Sequence, residues 1–176
     1  MENQHRTWFG EKRGRRAAKA FSEKGWNARY TETLGEAKKL LFEILPRGVS
    51  VGLGGSETLS AMEVLPVLRG GEYRLFDRYD CADPFEVCRD SLMADWFITG
   101  ANALTINGEM VNLDCSGSRV AAMAYGPRHI IVAAGVNKIT DTLEEAVSRV
   151  RSIAPMNCKR NGHKTPCAET GVCTDC

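Results

Sequence analysis

The stretch Val51-Gly52-Leu53-Gly54-Gly55-Ser56-Glu57-Thr58 decides the fold class. A short apolar run enters a group of glycines and is followed at once by Ser, Glu and Thr, residue types that open helices. This is a strand passing through a tight turn into a helix. Lacking Cβ atoms, the glycines let backbone N–H groups approach an anion, and a helix N-terminus adds about half a positive charge. Gly52, Gly54, Gly55, Ser56 and Thr58 are therefore candidate ligand-binding residues. The alternative is a bare strand-to-helix turn in which Ser56 only caps the helix, and the residues alone leave both open. The loop has no P-loop Lys and does not complete the glycine fingerprint of dinucleotide folds, so neither ATP nor NAD is indicated.

Outward from this loop the pattern repeats. Residues 33–45 read as a helix, with Leu34, Ala37, Leu40, Leu41, Ile44 and Leu45 recurring at three and four before Pro46 stops it. Residues 10–24 read as a basic helix that solvent surrounds. Further strands are expected at 72–76, 95–99, 110–113 and 129–134, and further helices at 56–64, 84–93, 118–124 and 141–153. Short strands alternating with helices predict an α/β fold, a three-layer arrangement with a mainly parallel sheet and helices on both faces. Ligands of such sheets bind beyond the carboxyl ends of the strands, so the loops after Val51, Ile98, Leu113 and Ala134 matter most.

Composition agrees with one such body. The 176 residues are 43% hydrophobic and 26% charged, with a net charge of +1, which excludes a disordered chain. The apolar run 130–134 is far short of a membrane span. Residues 1–30 hold eight basic and three acidic side chains, 31–150 eleven and seventeen, and 151–176 four and two. The body is acidic and its ends are basic, which disfavours nucleic acid as a partner. No apolar stretch follows the N-terminal residues, so a cytoplasmic protein is expected. The expected division is a basic helical segment over 1–30, an α/β domain over 31–155 and a Cys-rich tail over 156–176.

A second polar cluster lies between 99 and 118. Asn107-Gly108 is a turn signal between two extended pieces, so a hairpin is expected. Thr99, Gly100, Asn102 and Asp114 then stand at strand ends as candidate ligand contacts, and Glu109 and Asp114 are the weak candidates for acid–base catalysis. Cys115 is read as a small buried residue and His129 as a packed or capping one. Asn137 and Lys138 follow the strand at 129–134, where Lys138 would bring positive charge to an anion or merely cap the next loop.

Four of the seven cysteines, Cys158, Cys167, Cys173 and Cys176, fall in the last nineteen residues. Thiolates select zinc or iron–sulfur clusters, which makes these four candidate metal ligands with His163 as a substitute. A metal-free tail is the competing reading.

Residues 48–60 and 99–138, with the tail Lys164-Thr165-Pro166-Cys167-Ala168-Glu169-Thr170-Gly171-Val172-Cys173-Thr174-Asp175-Cys176, resemble short members of the lactate-utilisation (LUD) domain family. The resemblance implies the fold shared by ribose-5-phosphate isomerase, glucosamine-phosphate deaminase and CoA transferases (NagB/RpiA/CoA transferase-like), with Gly52-Leu53-Gly54-Gly55-Ser56 similar to a sugar-phosphate loop. It implies a protein that binds a small anionic metabolite (a sugar phosphate, CoA or carboxylate) in lactate or carboxylate utilisation, alongside iron–sulfur partners. A sugar-phosphate isomerase or CoA-transferase-like enzyme is the alternative, and a metal or redox module built on the tail another. The segment 100–112 is also similar to the Gly-Ala-Asp segment of methylthioribose-phosphate isomerase. There an Asp transfers the proton, whereas the matching Asn102 cannot titrate, which counts against isomerase chemistry.

Overall fold

Thr33 starts the first helix of the sheet-bearing part of the chain. Its hydroxyl accepts the Glu36 amide at 3.1 Å while the Glu36 carboxylate accepts the Thr33 amide at 3.3 Å, a reciprocal capping box. The helix so opened, α2 (Leu34–Ile44), ends just before Pro46 and buries Leu41. The computed structural model describes residues 2–176, with side chains from Gln4 onward. Before α2 runs α1 (Glu2–Glu23). After it come β1 (Ser50–Leu53), α3 (Glu57–Ala61), α4 (Val64–Leu68), β2 (Arg74–Phe76), α5 (Pro84–Asp90), β3 (Trp96–Thr99), β4 (Ala103–Thr105), β5 (Met110–Val111), α6 (Ser118–Tyr125), β6 (His129–Val132), β7 (Ile139–Thr140), α7 (Leu143–Arg160) and α8 (Pro166–Thr170).

These elements form two compact units, and the chain passes back and forth between them. One consists of 31–100 and 116–134, the other of 1–30, 101–115 and 135–176. The expected division into a basic end, a central body and a tail is not how the chain packs. Helix α1 is an integral layer of the second unit, because the turn of the hairpin at 103–111 lies against it.

The first unit carries a four-stranded, wholly parallel sheet in the order β2-β1-β3-β6. Val51, Gly52 and Leu53 of β1 and Phe97, Ile98 and Thr99 of β3 are buried, as central parallel strands should be. Leu41, Leu45, Val51, Leu53, Leu59, Met62, Val64, Leu68 and Ile98 form one continuous core. Each such aliphatic side chain stabilises the fold by roughly 1.5–3 kcal/mol on burial. The helix expected at 56–64 is two short ones, because Glu63 takes φ +51 between them. At the amino ends of the strands Asp95 ties three of them together. Its carboxylate accepts the Ser50 amide at 2.8 Å and hydroxyl at 2.6 Å, and faces Arg74 of β2 at 3.4 Å.

In the second unit β4 pairs antiparallel with β5 and parallel with β7, giving the order β5-β4-β7. The hairpin turn is the one expected at Asn107-Gly108. Gly108 has φ +78, and a Cβ there would lie 2.8 Å from the Ala20 backbone, so only glycine permits α1 to lie against the turn. Gly14, inside α1, similarly admits the Tyr30 ring, which a Cβ would meet at 2.5 Å. With Gly14, Ala17 and Phe21 buried, α1 is a packed helix rather than a solvated one. Helix α7 opens on the Thr142 hydroxyl, which accepts the Glu145 amide at 3.1 Å, and covers Ala103 with Ala146 and Val150. It runs to Arg160 through a buried Pro155, past the expected end at Ile153. No helix among the described residues is long and apolar enough to cross a membrane.

Candidate functional site

The carboxyl ends of the parallel strands converge on Gly54, Asp77, Gly100 and Ala133. The glycine loop there is shaped by close packing. A Cβ at Gly54 would fall 2.3 Å from Thr99 Oγ1 and 3.1 Å from Arg119 Cδ, and one at Gly100 would fall 2.4 Å from Ser56 Oγ. Gly52 is equally crowded, by Ser91 and Phe97. These glycines bring β1, β3 and α6 together. The Gly54 amide extends the sheet by donating to the Ile98 carbonyl at 2.9 Å, so it is not turned toward a ligand. Ser56 caps α3, its hydroxyl accepting the Leu59 amide at 3.3 Å. Gly55 is the exposed member of the loop, and a Cβ there would meet nothing nearer than the Tyr79 hydroxyl at 3.8 Å.

A small cleft with about 210 Å³ of empty space lies beside Gly54, lined also by Leu53, Phe97, Arg78, Arg119, Ser118, Ser91 and Cys88. Arg119, on the first turn of α6, donates to the Gly100 carbonyl at 3.0 Å, which fixes its guanidinium at the end of β3. Arg78 follows β2 and lies 5.8 Å from the Tyr79 ring. The carboxylate of its neighbour Asp77 accepts from Arg69 at 2.6 Å and from the Tyr79 amide at 2.9 Å. Burial pushes the Asp77 carboxyl up, but the hydrogen bonds from Arg69 and Tyr79 outweigh it and leave the carboxyl below its ordinary value. Two arginines and a serine hydroxyl thus lie at the carboxyl-end edge of the sheet, donor types that pair with carboxylate and phosphate oxygens. Neither arginine stood out in the sequence: each is a single cation in a loop or on a helix, far in sequence from Gly54. The available signal was positional, since 78 lies just beyond an expected strand and 119 in the first turn of an expected helix.

The remaining candidates belong to the second unit. Asn102 and Asn112 clasp the open end of the hairpin, the Asn102 amide donating to Asn112 Oδ1 at 3.2 Å and the Leu113 amide to Asn102 Oδ1 at 3.1 Å. Arg149 of α7 donates to the Asn102 carbonyl at 3.2 Å. Glu109 accepts the Thr105 hydroxyl at 2.6 Å across the turn. Asp114 is half-buried, while Asn137 is exposed and Lys138 half-buried in a one-turn 3₁₀ segment after Gly135. Cys115, expected to be buried, is exposed, because it follows the last pairing of β5. His129, exposed at the amino end of β6, stacks on Trp96 with ring centroids 4.5 Å apart.

The cysteines do not gather as a metal centre. Among the described residues no group of three or more His, Cys, Asp or Glu is arranged to hold an ion. Cys158 adjoins Cys167 and the Thr165 hydroxyl, and burial pushes its thiol above the ordinary value. Cys173 lies 3.8 Å from Asp175 Oδ1 instead, and Cys176 is exposed.

The family model that matches the chain is that of the LUD domain, over residues 14–175. The match runs through both units and includes the cleft and the cysteines through Cys173. No curated protein matches the chain. The chain belongs to the LUD domain family.

Proposed function

We propose that this LUD-domain chain binds a small anionic metabolite in the cleft beside Gly54, with Arg119 and Arg78 as the cations that meet it and Ser118 and the loop at Gly55 as neutral donors. The observation that carries the reading is the Arg119 guanidinium, held by the Gly100 carbonyl over the glycine loop at the carboxyl end of a parallel sheet. Binding at that edge is the rule for open α/β sheets. The body of the chain is acidic, so its overall field works against an anion and the attraction has to come from these two side chains at short range. A planar guanidinium recognises carboxylate and phosphate alike through paired N–H donors.

Family membership favours a carboxylate of the lactate type, used alongside iron–sulfur proteins. The parallel order β2-β1-β3-β6 with a glycine turn after β1 supports the fold of ribose-5-phosphate isomerase, glucosamine-phosphate deaminase and CoA transferases. Nothing favours isomerase or transferase chemistry over binding. Glu109, its best candidate acid, is engaged with Thr105 at a hairpin turn.

Isothermal titration with lactate, pyruvate, ribose 5-phosphate and CoA tests the reading. Binding of at least one is expected, weakened at least tenfold in Arg119→Ala and less in Arg78→Ala. Equal affinity in wild type and both variants, or no binding by any of the four, refutes it. Gly54 is not the residue to vary, since a side chain there would collide with Thr99 and confound folding with binding.

A further inference from the structure

Helix α1 presents two opposite faces. Gly14, Ala17 and Phe21, recurring at three and four, are buried, and Arg13 turns inward to Ile139 and Asp141. On the other side Trp8, Lys12, Arg16 and Lys19 recur at four, four and three, all exposed, with Phe9 beside them. Trp8 and Phe9 are each more than half exposed. Helix α1 holds six Lys and Arg against three Glu, and Glu11 and Glu23 already face Arg15 at 2.7 Å and Lys19 at 3.8 Å. The outer face is therefore aromatic and cationic. Aromatic side chains at such density on a surface mark a place of association, and the charge around them selects the partner.

A complementary surface exists on the same chain. Residues 79–86 are exposed without a break, and α5 contains no buried residue. Over 79–90 stand Asp80, Asp83, Glu86 and Asp90 against Arg89 alone, and Arg89 faces Glu86. Tyr79 and Phe85 in this stretch are each more than half exposed.

We infer that the chain self-associates, the exposed face of α1 in one copy seating on residues 79–90 of a second copy. The charge distribution selects a second copy over other anionic partners. Residues 31–150 carry seventeen acids to eleven bases, which repels a nucleic acid or an anionic bilayer drawn to α1. The whole chain, at +1, gives two copies almost no mutual repulsion. In the contact Trp8 and Phe9 lose water together with Tyr79 and Phe85, while Lys12, Arg16 and Lys19 meet the acids around them. The contact joins unlike patches and is heterologous, so each copy has one patch of each kind to offer. The inference is independent of the anion cleft.

Sedimentation velocity of the full chain from about 1 to about 500 μM, with dithiothreitol present to exclude disulfide linkage, tests it. Growth from monomer to dimer or larger species with concentration is expected, weakening as salt rises from about 50 to about 500 mM. Lys12→Glu with Arg16→Glu, and separately Asp80→Lys with Asp90→Lys, should each weaken association at least about tenfold, and mixing the two charge-reversed chains should restore it. Trp8→Ala should weaken it about as much without any change of charge. Lys39→Glu with Lys164→Glu makes the same change in net charge away from the face and should leave the affinity within about twofold. Circular dichroism confirms that each variant is folded. Carbodiimide coupling of mixed nitrogen-15-labelled and unlabelled chains should join Lys12 or Lys19 to carboxylates of 79–90 in pairs of mixed label. A chain that stays monomeric throughout, including one that instead sediments with duplex DNA or phosphatidylserine vesicles, overturns the proposal. So does an equal loss in the Lys39 and Lys164 variant, a mixture that fails to associate, or coupling confined to single chains.

Discussion

The two units solve the same problem with different materials. The parallel unit is held by bulk: nine buried aliphatic or thioether side chains in one core, most contributed by α2, the strands and the paired short helices. The hairpin unit has a smaller core cluster, Ala103, Ala146 and Val150, with Ala17, Phe21 and Ile106 buried apart from it, and adds directed polar bonds. Arg13 reaches from α1 to the Asp141 carboxylate and, at 2.9 Å, to the Ile139 carbonyl. Arg149 holds Asn102, the two asparagines hold each other's strands, and Thr105 holds Glu109. A core of large side chains tolerates the loss of one hydrogen bond. A core of small ones keeps its register only while those bonds are made.

The comparison can be broken by substitution. Ile98→Ala, which empties a fully buried site in the parallel unit, is expected to cost about 2–5 kcal/mol, read as a fall in the urea midpoint at unchanged slope. The sharper test uses one substitution in both units, since Thr105 and Thr99 are both fully buried. Thr105→Val removes a hydroxyl that donates to a carboxylate at 2.6 Å and accepts an amide at 3.1 Å, and about 1.5–3 kcal/mol should be lost. Thr99→Val removes only a 3.3 Å bond to Gly100, and about 0.5–1 kcal/mol should be lost. Equal losses would erase the distinction drawn between the units. At the small end stands Arg151→Ala, which deletes an exposed pair with Asp175 and should cost no more than about 1 kcal/mol.

A pH series separates the units in another way. Hydrogen bonds from the Ser50 hydroxyl and amide, with Arg74 nearby, hold the Asp95 carboxyl below its ordinary value. A carboxyl with a depressed folded pKa contributes stability above its unfolded pKa and loses it as pH falls through the folded value. Denaturation midpoints taken from about pH 7 to about pH 3 should fall less steeply in Asp95→Asn than in wild type, because the variant has no such contribution left to lose. Parallel curves would show that Asp95 does not sense acid.

Much of the parallel unit was legible because its signals are local. Pro46 ends α2, the glycines end β1, and the helix read from the spacing between Leu34 and Leu45 forms, burying Leu41 and Leu45 while Leu34 and Ile44 stay exposed. The units themselves were not legible. The bonds that define the hairpin unit join residues such as Arg13 and Asp141, 128 positions apart, and no periodicity records them. Strand β7 is two residues long, below what any alternation can reveal. The split at Glu63 and the passage of α7 through Pro155 went against local preference, which tertiary packing overrode. At the cleft the glycine loop was readable and its arginines were not. A glycine group next to a strand has few uses, whereas a single arginine has many.

The position of α1 in its unit sets the order in which the chain can acquire structure during synthesis. The helix leaves the ribosome first, yet Asp141 and the strand at Ile139 that anchor it are among the later residues made. At roughly 5–20 residues per second, the 128 positions between Arg13 and Asp141 correspond to a wait on the order of ten seconds. Until the hairpin at 103–111 is made, the face of Ala17 and Phe21 has no strand to cover it, and until Ile139 and Asp141 follow, Arg13 lacks its partners. The parallel unit, whose last segment ends at residue 134, can close first and stand as a finished body while the second is still being completed.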